Sequence, residues 1–549
     1  SQQLHRSWAE YLLRHAPNRD ERLEAGWHLV HTADELRGAE LLVEVAPKLV
    51  EQRQNMATAI PAIERALEVY ERHDKSLSTR LYLRALLVMS GYLYDYRLAE
   101  RHGSATLDLL YPFTGLPEVE RCGRWFGRRS GFMVGVAWAA LRRLMRPAGK
   151  RGPTVVSALR YYAMSTMGLM GLRALAMGDT GAVLERMRAF EGAPHPGLSL
   201  TYTMSRAIHL NGLGRLAEVQ RCIEQTWARL EREQTWQLTE HERRDLTIGL
   251  LLLQGLNETC REHSRALACA DKLERIGTPL AIAASLRTRM MYYVLRGDAA
   301  QTHHYRRLLE LNAVESGSLW QVQWLAIPVE AMAAATWHDL VSLRRALERF
   351  DQLVAETPAL GGGRAAMLLP YHFHRGDYEA AAVAGEEYMR KHPPMTIVGW
   401  PPVYAIAALA YAHLGRPARA LEICEQALAH VGPEERAYFA IYSPLEAAYA
   451  SALALTGNVA KSAEVFRERI ERLRAAGEHS RLVVMHHYRA RLARLTGDQQ
   501  AVQVALADML AAAAASGNPA VHALAQRLSE DRGAHSELPA LEADDRRAG

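Results

Sequence analysis

A glycine-centred turn recurs about every forty residues between two helical runs, and no other feature limits the possible folds as strongly. It reads Met177-Gly178-Asp179, Leu213-Gly214-Arg215, Arg296-Gly297-Asp298, Arg375-Gly376-Asp377, Leu414-Gly415-Arg416, Thr456-Gly457-Asn458 and Thr496-Gly497-Asp498. Degenerate turns near Asn257 and Trp337 fill the two gaps, so that successive positions lie 36 to 43 residues apart. One helical pair of that length cannot bury its own apolar face, whereas stacked pairs can, and a fixed period of this size therefore specifies a solenoid.

At 549 residues the chain exceeds the size of a single growing core, which is consistent with an elongated array. Apolar residues make up 49% and charged residues 23%, the balance of a folded protein. Strand signals are nearly absent; Ala, Leu, Arg and Glu dominate, and the expected fold class is all-α. The five cysteines, Cys122, Cys222, Cys260, Cys269 and Cys424, show no disulfide or zinc spacing, so a reducing cytoplasm is expected. The apolar run from 246 to 253 is broken by Gly249 and is too short to span a bilayer; no leader opens the chain, and no membrane partner is expected. Because Ser1 is not a start methionine and the first residues read as the middle of a helical segment, further upstream domains are expected.

The stretch around Gly415 shows how a pair is built. Tyr404, Ala408 and Tyr411 share one face of the first helix, and Ala420, Cys424, Ala427 and Leu428 one face of the second. The two alanines at 408 and 420 permit close backbone approach, Gly415 supplies a positive φ, and Pro433 stops the second helix. These residues resemble the tetratricopeptide repeat. The match is partial elsewhere: Gly376-Asp377-Tyr378 and Ala381 fit but Gly385 replaces a bulky residue, and Phe466 fits while Ser462 replaces Ala. The resemblance implies a right-handed α-solenoid of about twelve helical hairpins with a repeat near 40 residues rather than the family's usual 34. The array is expected over 38–530, after a helical junction at 1–37 and before a mobile tail at 531–549. That junction, with Trp8, Tyr11, Trp27 and Leu29, is similar to the one joining the nucleotide switch to the repeats in bacterial STAND-class signalling ATPases, such as maltose-responsive activators.

In that family the first helix of each pair lines the concave surface. Carrying over its ligand-facing register places Arg287, Met291, Trp324, Phe373, His374, His413, His487, Arg491 and Arg494 on the inner wall, with Arg244 joining if the weaker repeats keep register. Arginines that form forked hydrogen bonds, interleaved with aromatic area, suit a partner protein, a peptide or a small anionic ligand. Plain packing between neighbouring helices is the alternative for each.

Other chemistry lacks motif support. Ala148-Gly149-Lys150-Arg151 lacks the first glycine and the hydroxyl of a phosphate-binding loop, and Gly361-Gly362-Gly363 reads as a connector. The pairs His303-His304, His372 with His374, and His486-His487 lack the i, i+4 spacing of chelating histidines, so no metal or cofactor is expected. No nucleophile elbow or metalloprotease signature occurs, and no catalytic residue is assigned. The segment 121–151 concentrates Arg121, Arg124, Arg128, Arg129, Arg142, Arg143 and Arg146. It reads as a solvated face, a dock for an acidic neighbour, or a nucleic-acid patch. Pro61, Pro328, Pro370 and Pro444 fall within expected helices and should bend them. The functional expectation is a non-catalytic sensor or scaffold region of a larger bacterial regulator. A pure protein-interaction scaffold and a nucleic-acid binder are the rival readings.

Overall fold

The computed structural model describes residues 2–15, 18–52, 55–145, 152–175, 179–232, 240–261, 263–316, 327–336, 338–356, 362–396 and 400–530. Among them every regular element is a helix, and the secondary structure is all-α. The expected tail lies outside the described residues, as do Gly178 and Trp337 of the repeat turns.

The repeat has a local cause that can be traced hydrogen bond by hydrogen bond. At Gly214, Gly297, Gly376, Gly415, Gly457 and Gly497 the backbone takes φ between 71° and 92°, the left-handed region that ends a helix. The residue after the glycine then donates its N–H back to a carbonyl five positions earlier: Asp298 to Tyr293 at 3.0 Å, Asp377 to His372 at 3.0 Å, Asp498 to Ala493 at 2.9 Å. Where that residue is Asp, its carboxylate also caps the next helix, accepting from Gln301, Ala380 and Ala501 N–H. Glycine thus closes one helix and aspartate opens the next, within two residues. At the degenerate turn near Trp337 the left-handed residue is His338, with φ 54°, and Asp339 repeats both bonds through Ala334 and Ser342. The turn expected near Asn257 falls later: Asn257 is buried inside the helix Glu240–Thr259 and donates to Gln220.

Two compact units are present. The first comprises 1–257, 265–288 and 305–326. It starts with antiparallel helices packed in series, and its core near the N-terminus gathers Leu42, Val45, Leu49, Ile63, Ala66 and Leu86. The series is then interrupted. Val155–Leu175 packs directly on Leu77–Leu93 and Tyr96–Thr114, bypassing the two helices in between, Leu116–Phe126 and Arg128–Met145. The bypass depends on Gly168, where an added Cβ would stand 2.2 Å from the Val88 carbonyl oxygen. The bypassed helices pair with each other, Gly135 lying so close to Val119 that a Cβ would meet its side chain at 2.6 Å.

The second unit comprises 258–264, 289–304 and 327–549. Its pairs follow regularly: Gly362–Arg375 with Tyr378–Lys391, Trp400–His413 with Pro417–Leu428, Phe439–Leu455 with Val459–Ala475, and His479–Leu495 with Gln499–Ser516. Each first helix also lies against the first helix of the next pair, the contact by which solenoids propagate. Tyr404, Ala408, Ala420, Cys424 and Ala427 are buried as their spacing implies, and Gly385 admits Ala407 where a Cβ would come within 2.7 Å. Buried Arg469 pairs with buried Glu446 and donates to the Arg436 carbonyl at 3.1 Å, tying the second helix of one pair to its first. Pro61, Pro370 and Pro444 sit inside helices, and Pro328 is the second described residue of Ile327–Thr336, the residues 317–326 before it lying outside the described set. Gly362 and Gly363 form the first turn of a helix rather than a connector.

Gly168→Ala should lower stability by about 1–3 kcal/mol, because the helix crossing must open to admit the methyl group. Thermal melting of the variant against wild type checks this, and a matched melting temperature would contradict the crossing.

Candidate functional site

Helix ends of the second unit converge on one cluster of rings and cations. Phe373 and His374 close the first helix of the Gly376 pair, His413 closes that of the Gly415 pair, and His487 and Arg491 belong to that of the Gly497 pair. The left-handed turn brings in His338, and the second helix of the Gly376 pair starts with Tyr378. Five residues from the expected wall therefore meet, although they are spread over more than a hundred positions in sequence.

The contacts are specific. Arg491 donates Nη2 to His413 Nε2 at 3.0 Å and holds its guanidinium carbon 4.7 Å from the centre of the Phe373 ring. Guanidinium only donates, so His413 accepts at Nε2 and carries its proton on Nδ1. Tyr378 stacks flat on His413, with centroids 4.2 Å apart and planes 11° apart. Phe373 meets His374 and His413 edge-on at 5.6 Å and 5.8 Å. His338 lies 3.9 Å from His374 and 5.2 Å from His487, centroid to centroid. Phe373 and His487 are buried, while His374, His413 and Arg491 are half-buried. The result is a part-buried cluster of rings stacked around one guanidinium.

The other expected wall residues fall elsewhere. Arg494 is half-buried one turn beyond Arg491. Arg244 and Arg287 are half-buried in the first unit, and Met291 is half-buried on the 289–304 segment. Trp324 lies outside the described residues. In the basic segment Arg121 pairs with Glu118 at 3.7 Å, as does Arg142 at 2.6 Å, and Arg143 donates to the Gly152 and Pro153 carbonyls. Arg129 is exposed; the side chains of Arg124, Arg128 and Arg146 lie outside the described set.

Sequence reasoning missed His338, because nothing in Trp337-His338-Asp339 resembles the glycine turn except the aspartate. It also missed a second polar cluster. The 258–264 and 289–304 segments pack against the starts of Phe439–Leu455 and His479–Leu495. Ala440 donates to the Cys260 carbonyl at 3.5 Å, Arg261 faces the Tyr438 ring at 6.0 Å, and Arg296 lies over Tyr292 at 4.9 Å. Burial raises the Glu478 carboxyl and lowers the Arg481 guanidinium; each partly offsets the other, with Arg296 also holding Glu478 down. Burial also pushes the Cys260 thiol up to about 11. The chain's own 258–264 and 289–304 segments thus cover the region around Tyr438, Tyr442 and Arg481.

All five cysteines are thiols without a disulfide. Among the described residues no group of three or more His, Cys, Asp or Glu could hold a metal ion, and no helix is long and apolar enough to cross a membrane.

No family model matches the chain, and no curated protein is similar to it in sequence. Among solved structures it is similar to a chain in the crystal structure of the APC/C hetero-tetramer Cut9-Hcn1. The two share 12% identity with a TM-score of 0.39, over 99% of this chain and 95% of that one. A likeness this loose supports nothing further; the repeat architecture rests on the hairpins of the chain itself.

The neighbour of His487 provides a pH signature. Burial, followed by nearby Arg489, lowers His486 from the ordinary 6.5 to about 4, against a raising effect from Asp508. The unfolded chain therefore takes up this proton first. The stability is fully present above pH 6.5 and is lost as pH falls from there towards 4, about 2 kcal/mol being gone by pH 5. Melting curves at pH 7 and pH 5 should show this loss, and His486→Gln should flatten that part of the pH dependence.

Proposed function

We propose that the chain is a non-catalytic helical-repeat binding region whose second unit holds an acidic segment of a partner protein on the cluster of Phe373, His374, His413, His487 and Arg491. The observation that carries this reading is the Arg491 guanidinium, fixed between His413 and the face of Phe373 and half-buried rather than solvated. Such a group is pre-organised to meet a carboxylate, and the adjoining rings offer stacking area at little entropic cost. The regular stacking of first helix on first helix in the second unit supports a scaffold role, since stacked first helices present a continuous wall. The resemblance of the repeats and the N-terminal junction to STAND-class regulators supports the finer reading, a sensor region of a larger bacterial, cytoplasmic signalling protein. In that setting a partner that fits one arrangement of the array better than another would shift its population.

The rival reading as a nucleic-acid binder has less support. Arg142 and Arg143 of the basic segment are engaged within the protein, and the helix that carries them exposes aliphatic side chains between its cations.

Selection of linear peptides displayed on phage against the purified chain tests the proposal. Enrichment of acidic peptides is expected, with Arg491→Ala weakening the selected peptides by roughly tenfold, the loss of one charge-assisted hydrogen bond. Failure to enrich acidic peptides, or equal affinity for wild type and Arg491→Ala, would overturn it.

A further inference from the structure

The bypassed hairpin of the first unit has an unusual outer face. Its second helix, Arg128–Met145, is apolar on two sides. One side, with Phe132, Gly135 and Ala139, is buried. The other carries Met133, Val134, Trp138, Leu141, Leu144 and Met145, each between 42% and 66% exposed. At about 100° per residue these six cover an arc of roughly 140°, wider than the narrow seam by which two helices zip together. From Met133 to Met145 the stripe runs about 18 Å along the helix axis. Exposed Arg129 and half-buried Arg142 and Arg143 flank it, and between 116 and 145 the hairpin has six arginines against two glutamates. Both glutamates are engaged: Glu118 by Arg121 and Arg142, and Glu120 by the Tyr111 hydroxyl at 2.7 Å.

A wide aliphatic face containing tryptophan, edged by exposed Arg129 on a hairpin of net positive charge, has the chemistry of a helix that lies in the headgroup region of a bilayer, its apolar side chains in the acyl boundary and Arg129 on anionic lipid, Arg142 and Arg143 being engaged within the protein. A second copy of the same hairpin would bring arginines against arginines, so self-association is disfavoured by charge. The helices on either side of the hairpin pack on each other directly, and the six exposed side chains of its outer face lie on the side away from Phe132, Gly135 and Ala139. We propose that the hairpin 116–145 is a membrane-surface dock that binds anionic bilayers peripherally through the outer face of Arg128–Met145. The chain would then lie on the membrane without crossing it, in contrast to the expectation of no membrane partner.

Flotation of the full chain with vesicles tests the proposal. Phosphatidylcholine alone should carry little protein, and phosphatidylcholine mixed with phosphatidylserine should carry most of it, with release as salt is raised. The double variant Met133→Glu/Leu141→Glu, both positions exposed, should lose at least tenfold in vesicle binding while keeping the wild-type melting temperature, and Arg129→Glu should weaken binding to the mixed vesicles specifically. Equal binding of wild type and the double variant would overturn the proposal. So would an absence of binding to the mixed vesicles, or a soluble protein bound by wild type and lost in the variant while vesicle binding is absent.

Discussion

A left-handed residue closes the first helix at each turn, an aspartate after it opens the next at residues 298, 339, 377 and 498, and the architecture depends on this junction. It satisfies orphan carbonyls at one helix end and orphan N–H groups at the other within the same few residues, so the chain reverses without exposing unpaired backbone. Repeating the junction sets the register of every pair, and register decides which side chains reach the end of each first helix. Phe373, His374 and His413 lie immediately before such junctions, and His338 forms one. The cluster is therefore a by-product of turn geometry as much as of any individual side chain.

The sequence was most informative where physics is local. Glycines spaced near 40 residues, alanines facing one another across Gly415 and the positive φ of the turn all follow from single-residue preferences, and the structure has them where expected. Five of the positions expected on an inner wall come together in the second unit. Sequence reasoning failed where long-range packing decides. Nothing local distinguishes Gly168, whose role is set by Val88 eighty residues away, from a helix-weakening glycine. His338 takes a conformation that costs a non-glycine residue about 1 kcal/mol or more and is held by its neighbours. Asn257 looked like a turn former and is instead a buried hydrogen-bond donor within a helix.

The two units use the same hairpin for different ends. In the second, uninterrupted stacking of first helices makes a wall, part of which is covered by the chain's own 258–264 and 289–304 segments. Covering the region around Arg481 and Glu478 buries charges that partly offset one another. In the first unit, stacking skips a hairpin, and the skipped element keeps an apolar face that stays exposed among the described residues.

The central claim is that an acidic segment binds where three sequence-distant helix ends meet. Backbone hydrogen exchange with and without a bound acidic peptide tests it most directly. The account predicts slowed exchange confined to the neighbourhoods of residues 373, 413 and 487–491, appearing together at one peptide concentration. Slowed exchange at other sites with these three unchanged, or protection of one of them without the others, would contradict it.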